Sequence, residues 1–210
     1  MSVLDLSCTF PPGAAGKIRL REIPLKSART AYTGMVYDFE FNSMDGSYID
    51  LPGHIRETDD GRRADNAAME DFYRVPCSVI RLNRTSGSGA VTAAELERAF
   101  GGKVTTPALM INALNPLDPD EIDLRSVWLD FSALDWMIEA GIRLLVSDIY
   151  ESKALDGVFL KLFQAGISTV CEPRGMSRIK SKQVELTVLF PKFPELTQIP
   201  CRILVDDTEA

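Results

Sequence analysis

The chain has 210 residues, of which 45% are hydrophobic and 25% are charged, and its formal net charge is -7 at pH 7. This length and composition predict a single globular domain over residues 1–210. The negative charge argues against nucleic acid or an anionic membrane surface as a partner. No apolar run reaches the roughly 20 residues that a membrane-spanning helix needs. Small molecules and other protein chains remain as partners.

Five segments in the first half of the chain have the apolar pattern or the β-branched and aromatic content of strands. These are residues 3–6, 17–26, 35–41, 77–82 and 107–114. The segment 17–26 alternates apolar and charged residues, which predicts a half-buried strand. A short helix is expected over residues 66–73, and a second helix ends at Phe100 after a capping box of Thr92 and Glu95.

The second half of the chain repeats a pattern of helix, glycine and strand. Ser132 is expected to cap a helix that ends at Gly141, and Asp156 to cap a helix that ends at Gly166. Strands are expected directly afterwards, over residues 142–146 and 167–171, with two late strands over 184–190 and 202–205. Helix and strand units at this spacing indicate parallel strands, so we expect an α/β fold with a mixed sheet.

Four cysteines are widely spaced, and no two of them form a Cys-x-x-Cys pair. They are Cys8, Cys77, Cys171 and Cys201. The N-terminal residues lack a basic stretch followed by an apolar core, so no secretory signal is expected. We therefore predict reduced thiols and a cytoplasmic protein, with neither a disulfide framework nor a zinc ribbon.

The most distinctive stretch is residues 44–54, Met-Asp-Gly-Ser-Tyr-Ile-Asp-Leu-Pro-Gly-His, which ends at the only histidine of the chain. It resembles the motif His-x-Gly-Thr-His-x-Asp-x-Pro-x-His of the Putative cyclase family, metal-dependent hydrolases that include bacterial kynurenine formamidase. The matching residues are Gly46, Asp50, Pro52 and His54, with Ser47 in place of threonine. The resemblance implies the swivelling β/β/α fold of that family, and a homo-oligomer with sites near subunit contacts.

Part of the family's chemistry is kept and part is lost. By resemblance, Asp50 and Glu172 occupy positions of metal ligands, and His54 occupies the position of the acid/base residue. Three positions where the family has ligand histidines hold other residues here. They are Met44, Tyr48 and Leu160.

The loss of three imidazoles bears directly on metal binding. Zinc prefers imidazole nitrogen and thiolate sulfur, so we expect no stoichiometric zinc and no cofactor. An oxygen-donor site formed by Asp50 and Glu172, with Asp45 and Tyr48 nearby, would favour Mg²⁺ or Mn²⁺.

Each of these candidate site residues also has a purely structural interpretation. His54, next to a Pro-Gly turn, can be a structural residue, and Asp50 can accept N–H bonds within that turn. Glu172 can be a surface residue at a strand end. The residues at the three lost positions can simply fill the former metal cavity. Cys8 and Cys171 can be inert buried thiols, or one of them can form a dyad with His54.

Two functions therefore remain open. The first is a diverged hydrolase that cleaves a small amide or a cyclic ester, with His54 as acid/base. The second is a non-catalytic homologue that binds a small molecule or a partner chain without metal. In either case we expect Asp50 and His54 to lie within one contact shell in a pocket. We also expect Met44, Tyr48 and Leu160 to converge on one volume.

Overall fold

The computed structural model describes residues 2–10 and 18–207. The strands are β1 (Ser2–Asp5), β2 (Ile18–Lys26), β3 (Ala31–Phe39), β4 (Tyr48–Asp50), β5 (Val75–Arg81), β6 (Gly89–Val91), β7 (Ala108–Asn112), β8 (Val127–Leu129), β9 (Leu144–Ser147), β10 (Ser168–Cys171), β11 (Gln183–Leu189), β12 (Gln198–Pro200) and β13 (Arg202–Asp207). The α-helices are α1 (Ala93–Phe100), α2 (Phe131–Glu139) and α3 (Val158–Gln164).

Within this described part, nine strands form one mixed sheet in the spatial order β1–β13–β11–β5–β7–β9–β10–β4–β12. Strands β5, β7, β9 and β10 run parallel to one another at its centre. The flanking strands pair antiparallel on both sides. This confirms the predicted α/β fold with a mixed sheet and parallel βα units.

The central strand β7 shows why the sheet is buried on both faces. All five of its residues are buried, and alternate side chains enter two different apolar cores. Ala108 and Met110 pack into one core, whereas Leu109 and Ile111 pack into the other, which also contains the buried residues of the three helices. Side chains alternate along a strand, so a continuous apolar run is what a doubly covered strand requires.

The predicted helix starts are right for α1 and need correction for the other two helices. The Thr92 hydroxyl accepts a hydrogen bond from the Glu95 N–H at 3.4 Å, which is one half of the predicted capping box, whereas the Glu95 carboxylate pairs with Arg84 at 3.2 Å. Helix α2 is capped by Asp130, not by Ser132, because the Asp130 carboxylate accepts from the Ala133 N–H at 3.0 Å. The Ser132 hydroxyl donates to that same carboxylate.

Helix α3 also begins differently from the prediction. Its N-cap is Gly157, in the left-handed conformation with φ 96°. The carboxylate that accepts from the first N–H groups is that of Glu151, at 2.9 Å from the Val158 nitrogen. Asp156, the expected cap, instead accepts a hydrogen bond from the Ser152 hydroxyl. The capping group thus comes from the preceding loop, which a local sequence pattern does not reveal.

Two other expectations were wrong. Residues 66–73 form only a single 3-10 turn, Met69–Asp71, in place of a helix. Strand β2 is exposed along its whole length, although its alternation predicted a half-buried strand. It pairs only with β3, in a separate two-stranded hairpin. Alternation marks an amphipathic strand, but it does not say what covers the apolar face.

The parallel centre determines where a site can form. The carboxyl ends of β7, β9 and β10 meet at one edge of the sheet, and the loops that follow them begin at Ala113, Asp148 and Glu172. Ligands of open α/β sheets bind outside the carboxyl ends of the strands. No helix in the described residues is long and apolar enough to cross a membrane.

Candidate functional site

The motif residues lie on a short sheet strand, β4, which the sequence did not predict. This strand is inserted between β10 and β12. Ile49 packs into the core opposite the helices, so Tyr48 and Asp50 point to the helix-covered face. The register places Asp50 directly between Thr169 and Gln198. The fold thereby delivers two motif positions to one face of the sheet.

The Asp50 carboxylate is buried and already hydrogen-bonded within the protein. Its side chain is 3% exposed, and Oδ1 accepts a hydrogen bond from Gln198 Nε2 at 2.7 Å. The Cys171 Sγ lies 3.7 Å from the other carboxylate oxygen. Burial raises the pKa of Asp50, and the Gln198 bond opposes that rise only in part. Asp50 thus serves as a hydrogen-bond acceptor within the folded protein.

His54 belongs to the same network through Gln198. The Gln198 Nε2 also lies 3.2 Å from His54 Nε2, so the amide bridges the aspartate and the histidine. If the amide donates this bond, His54 Nε2 is the acceptor and the ring proton is on Nδ1. The ring is exposed and meets Phe163 edge-on, with centroids 6.5 Å apart. Asp50 and His54 therefore share one contact shell, as expected.

Gln198 is the residue of this network that sequence reasoning missed. It lies on β12, far from the motif in sequence, and no spacing pattern connects the two. Its side-chain oxygen accepts a hydrogen bond from Ser43, so each polar group of the amide is used. Neither cysteine suggested for a dyad, Cys8 or Cys171, hydrogen-bonds His54 in the residues that the structure describes.

A cavity of about 270 Å³ lies at the carboxyl edge of the parallel strands. Neither Asp50 nor His54 lines it, so the pocket expected around this pair lies beside them instead. Its apolar wall is formed by several side chains from the motif, the strand ends and α3. These include Met44, Tyr48, Leu114, Ile122, Leu124 and Phe159. Its charged lining residues are Asp123, Arg125, Asp148, Glu151 and Glu172.

The predicted convergence of the three lost ligand positions is correct for two of them. Met44 and Tyr48 line the cavity, whereas Leu160 does not and is 38% exposed. The preceding residue, Phe159, lines the cavity instead. Successive side chains of a helix point about 100° apart, so α3 can present only one of these two neighbours to the cavity. The alignment of Leu160 with a ligand position is therefore corrected.

Glu172 is held in an uncommon backbone conformation at the cavity. Its φ is 58°, in the left-handed region that non-glycine residues rarely adopt. The Ser47 hydroxyl donates to the Glu172 carbonyl oxygen at 2.6 Å and accepts from the Cys8 N–H at 2.7 Å. The carboxylate pairs with Arg174 at 3.0 Å. Ser47, at the motif threonine position, thus connects the N-terminal segment, the motif and β10.

The donors present do not fit the metal ion that the family resemblance implies. Burial raises the pKa of Tyr48, so its phenol would need the field of a bound ion to ionise and become a ligand. Asp50 is engaged by Gln198, and Glu172 by Arg174. Among residues 2–10 and 18–207, no group of three or more His, Cys, Asp or Glu side chains could hold a metal ion. The metal ligand roles of Asp50 and Glu172 stay predictions.

Asp148 is a second residue that sequence reasoning missed. Its two carboxylate oxygens accept from the Ala113 and Leu114 N–H groups, each at 2.9 Å. Burial raises the pKa of Asp148 to about 7, with a further contribution from nearby Asp118. An acidic residue directly after a buried parallel strand is the signal that could have identified it. A carboxyl group in this environment can exchange a proton near neutral pH.

The fold and the position of the cavity define an α/β protein of the cyclase-like class. The Putative cyclase family model matches residues 4–152, and the chain therefore belongs to that family. No curated protein matches the sequence.

Solved structures agree with this fold. Isatin hydrolase A from Labrenzia aggregata has a TM-score of 0.72 at 17% identity, covering 99% of this chain and 94% of the other. A potential metal-dependent hydrolase with cyclase activity has a TM-score of 0.71 at 15% identity, covering 100% and 99%. A predicted metal-dependent hydrolase from Bacillus stearothermophilus has a TM-score of 0.68 at 14% identity, covering 97% of both chains. At these identities the likeness establishes the fold.

Proposed function

We propose that this chain is a cyclase-family protein that binds a small molecule in the 270 Å³ cavity without the family's metal ion. One observation carries the proposal: Met44 and Tyr48, at former ligand positions, line a cavity, while Asp50 is engaged by Gln198. A mostly apolar pocket with a few polar groups is the usual form of a small-molecule site. We therefore propose that the function of the protein is to bind a small molecule, and that it does so in the cytoplasm.

Metal analysis tests the metal-free part of this proposal. After extensive dialysis we expect no stoichiometric zinc, and we expect added Zn²⁺ or Mn²⁺ to leave the melting temperature unchanged. A ligand that binds the folded state at 100 times its Kd would stabilise it by about 2.7 kcal/mol, which is readily measured. One zinc retained per chain through dialysis would contradict the metal-free proposal and would support a metal-dependent hydrolase instead.

The second candidate is hydrolysis of a small amide or cyclic ester. The family resemblance assigns His54 as its acid/base residue, and Asp148 adds a specific observation, since burial raises its pKa to about 7 within the cavity. A general base works best when its pKa is near the working pH. Dialysed protein can be assayed with formanilide and with a small lactone. Turnover that is lost in Asp148→Asn or in His54→Gln would favour this candidate and identify its acid/base residue.

We further propose that the protein is a homo-oligomer that buries the β2–β3 hairpin against a second copy. One face of this hairpin carries five exposed apolar side chains, in register across the two strands. They are Ile18, Leu20, Met35, Tyr37 and Phe39. A two-stranded hairpin alone is marginally stable in water, so this face needs a cover.

Charge supports a second copy as that cover. Residues 18–39 carry four basic and two acidic side chains, which gives the hairpin a net charge of +2 on a chain of net charge -7. This excess positive charge lies on Arg19 and Arg21, on the opposite face of the hairpin, and on Arg29 in its turn, so it can steer the hairpin toward the acidic body of another copy.

Light scattering after size-exclusion chromatography tests the oligomer. We expect the wild type to elute as a dimer or larger, and Leu20→Asp with Tyr37→Asp to elute as a monomer, because buried unpaired carboxylates are strongly disfavoured. Tyr32→Asp is the control, since Tyr32 lies on the opposite face and is 63% exposed. A monomeric wild type at tens of micromolar would contradict the proposal.

A further inference from the structure

The side-chain amide of Gln198 has one orientation that satisfies all of its polar neighbours. Its Oε1 accepts a hydrogen bond from the Ser43 hydroxyl. Its Nε2 lies 2.7 Å from the Asp50 Oδ1 and 3.2 Å from the His54 Nε2. A hydroxyl group can donate or accept, whereas an ionised carboxylate can only accept. The aspartate therefore determines that the amide nitrogen, and not the amide oxygen, faces Asp50 and His54.

This orientation is fixed by the packing of the sheet. Gln198 is 9% exposed, and its strand β12 pairs with β4 in the register that places Gln198 opposite Asp50. Turning the amide over would place its oxygen against the Asp50 carboxylate and would leave buried acceptors without donors. Unsatisfied buried polar groups are costly and rare in native proteins. The amide thus keeps one orientation.

The orientation of the amide decides which nitrogen of His54 carries the proton. An amide nitrogen has two N–H groups and acts only as a donor, so Gln198 donates one hydrogen bond to Asp50 and one to His54. The His54 Nε2 is then the acceptor, and the proton of the neutral ring is on Nδ1. Phe163 meets the ring edge-on, and no other residue that the structure describes hydrogen-bonds it. No contact among these residues favours the opposite tautomer.

We propose that Gln198 is a positioning residue that holds neutral His54 in the Nδ1–H tautomer and leaves Nδ1–H as the free hydrogen-bond donor of the ring. The ring is exposed, and its Nδ1 has no partner among the described residues. A group that binds there must carry an acceptor, such as a carbonyl oxygen. In the hydrolysis candidate, His54 would then polarise a carbonyl group as a donor, because its Nε2 lone pair is already occupied.

The imidazole nitrogens report the tautomer directly. His54 is the only histidine of the chain, so ¹⁵N-labelled protein without a histidine tag gives one set of imidazole signals. Two-dimensional ¹H–¹⁵N spectra at pH 8.5, where imidazole is ordinarily neutral, distinguish a protonated nitrogen from one with a free lone pair. We expect the Nδ1–H form to exceed the Nε2–H form at least five-fold, about the ratio that one net hydrogen bond supplies. Equal populations, or an excess of the Nε2–H form, would overturn the inference.

Two matched glutamine variants locate the cause. Gln198→Glu replaces the amide nitrogen with a carboxyl oxygen, which accepts from His54 and does not donate to it, so the proton should move to Nε2. Gln183→Glu makes the same change at an exposed position of β11, in the opposite half of the sheet, and should leave the tautomer unchanged. The wild-type tautomer in Gln198→Glu would overturn the inference. Thermal unfolding verifies that each variant is folded, and the wild-type spectrum decides the matter if Gln198→Glu is not.

This test is separate from that of the proposed function. The tautomer is read in the free protein, so the result does not depend on whether the cavity binds a small molecule or whether the protein hydrolyses one. An overturned tautomer would leave both candidate functions standing. A failure of both functions would likewise leave the spectrum of His54 as it is.

Discussion

Replacing Leu162 with alanine is expected to lower the free energy of unfolding by about 2–5 kcal/mol. Leu162 is 0% exposed and belongs to the core that joins α3 to the sheet. Removing its isobutyl group loses transfer free energy and leaves a cavity that a close-packed core fills only in part. For a domain of this size, each kcal/mol corresponds to about 2–4 °C in melting temperature. Urea unfolding followed by circular dichroism measures the loss.

Leu160→Ala is the matched control on the same helix. The residue type and the substitution are identical, but Leu160 is 38% exposed and lies outside the cavity lining. Its loss should cost less than about 1 kcal/mol, as expected of a surface position. If both variants lost the same stability, the orientation of α3 described above would be wrong, and Leu160 would again be a candidate for the cavity wall.

Stability is expected to fall as the pH rises from about 4 to 8, and Asp148 should account for a large part of the change. Burial raises the pKa of Asp148 from 3.8 to about 7. Between about pH 4 and pH 7 the unfolded chain has lost the proton that the folded chain retains, so ionisation favours unfolding. A difference of this size corresponds to an upper limit on the order of 4 kcal/mol. Burial of Asp50 acts in the same direction.

Asp148→Asn isolates this contribution. Asparagine cannot ionise, so the difference in unfolding free energy between pH 5 and pH 8 should shrink in the variant by up to about 2.7 kcal/mol, which is two pH units at about 1.36 kcal/mol each. The variant also loses one acceptor for the Ala113 and Leu114 N–H groups, but that cost is the same at both pH values. Urea midpoints at the two pH values provide the measurement. An identical pH dependence in wild type and variant would show that Asp148 is ionised throughout.

Local sequence patterns determined most of the secondary structure. Buried runs such as Ala108–Asn112 form central strands because only a doubly covered strand can be apolar at every position. Gly141 and Gly166 have φ values of 76° and 74°, the left-handed conformation that ends a helix. The motif spacing from Gly46 to His54 was likewise enough to predict the family. Each of these features depends only on residues that are close together in the sequence.

The tertiary structure alone decided what the motif residues contact. Asp50 meets Gln198 only because β12 pairs with β4, and that pairing joins segments almost 150 residues apart. Glu151 and Asp148 face a cavity because parallel strands bring their carboxyl ends to one edge. Whether Phe159 or Leu160 faces that cavity depends on the rotation of α3 about its axis. Hydrophobic periodicity carries no information about such long-range register, so the sequence by itself predicted the family and the elements, whereas packing decided the site.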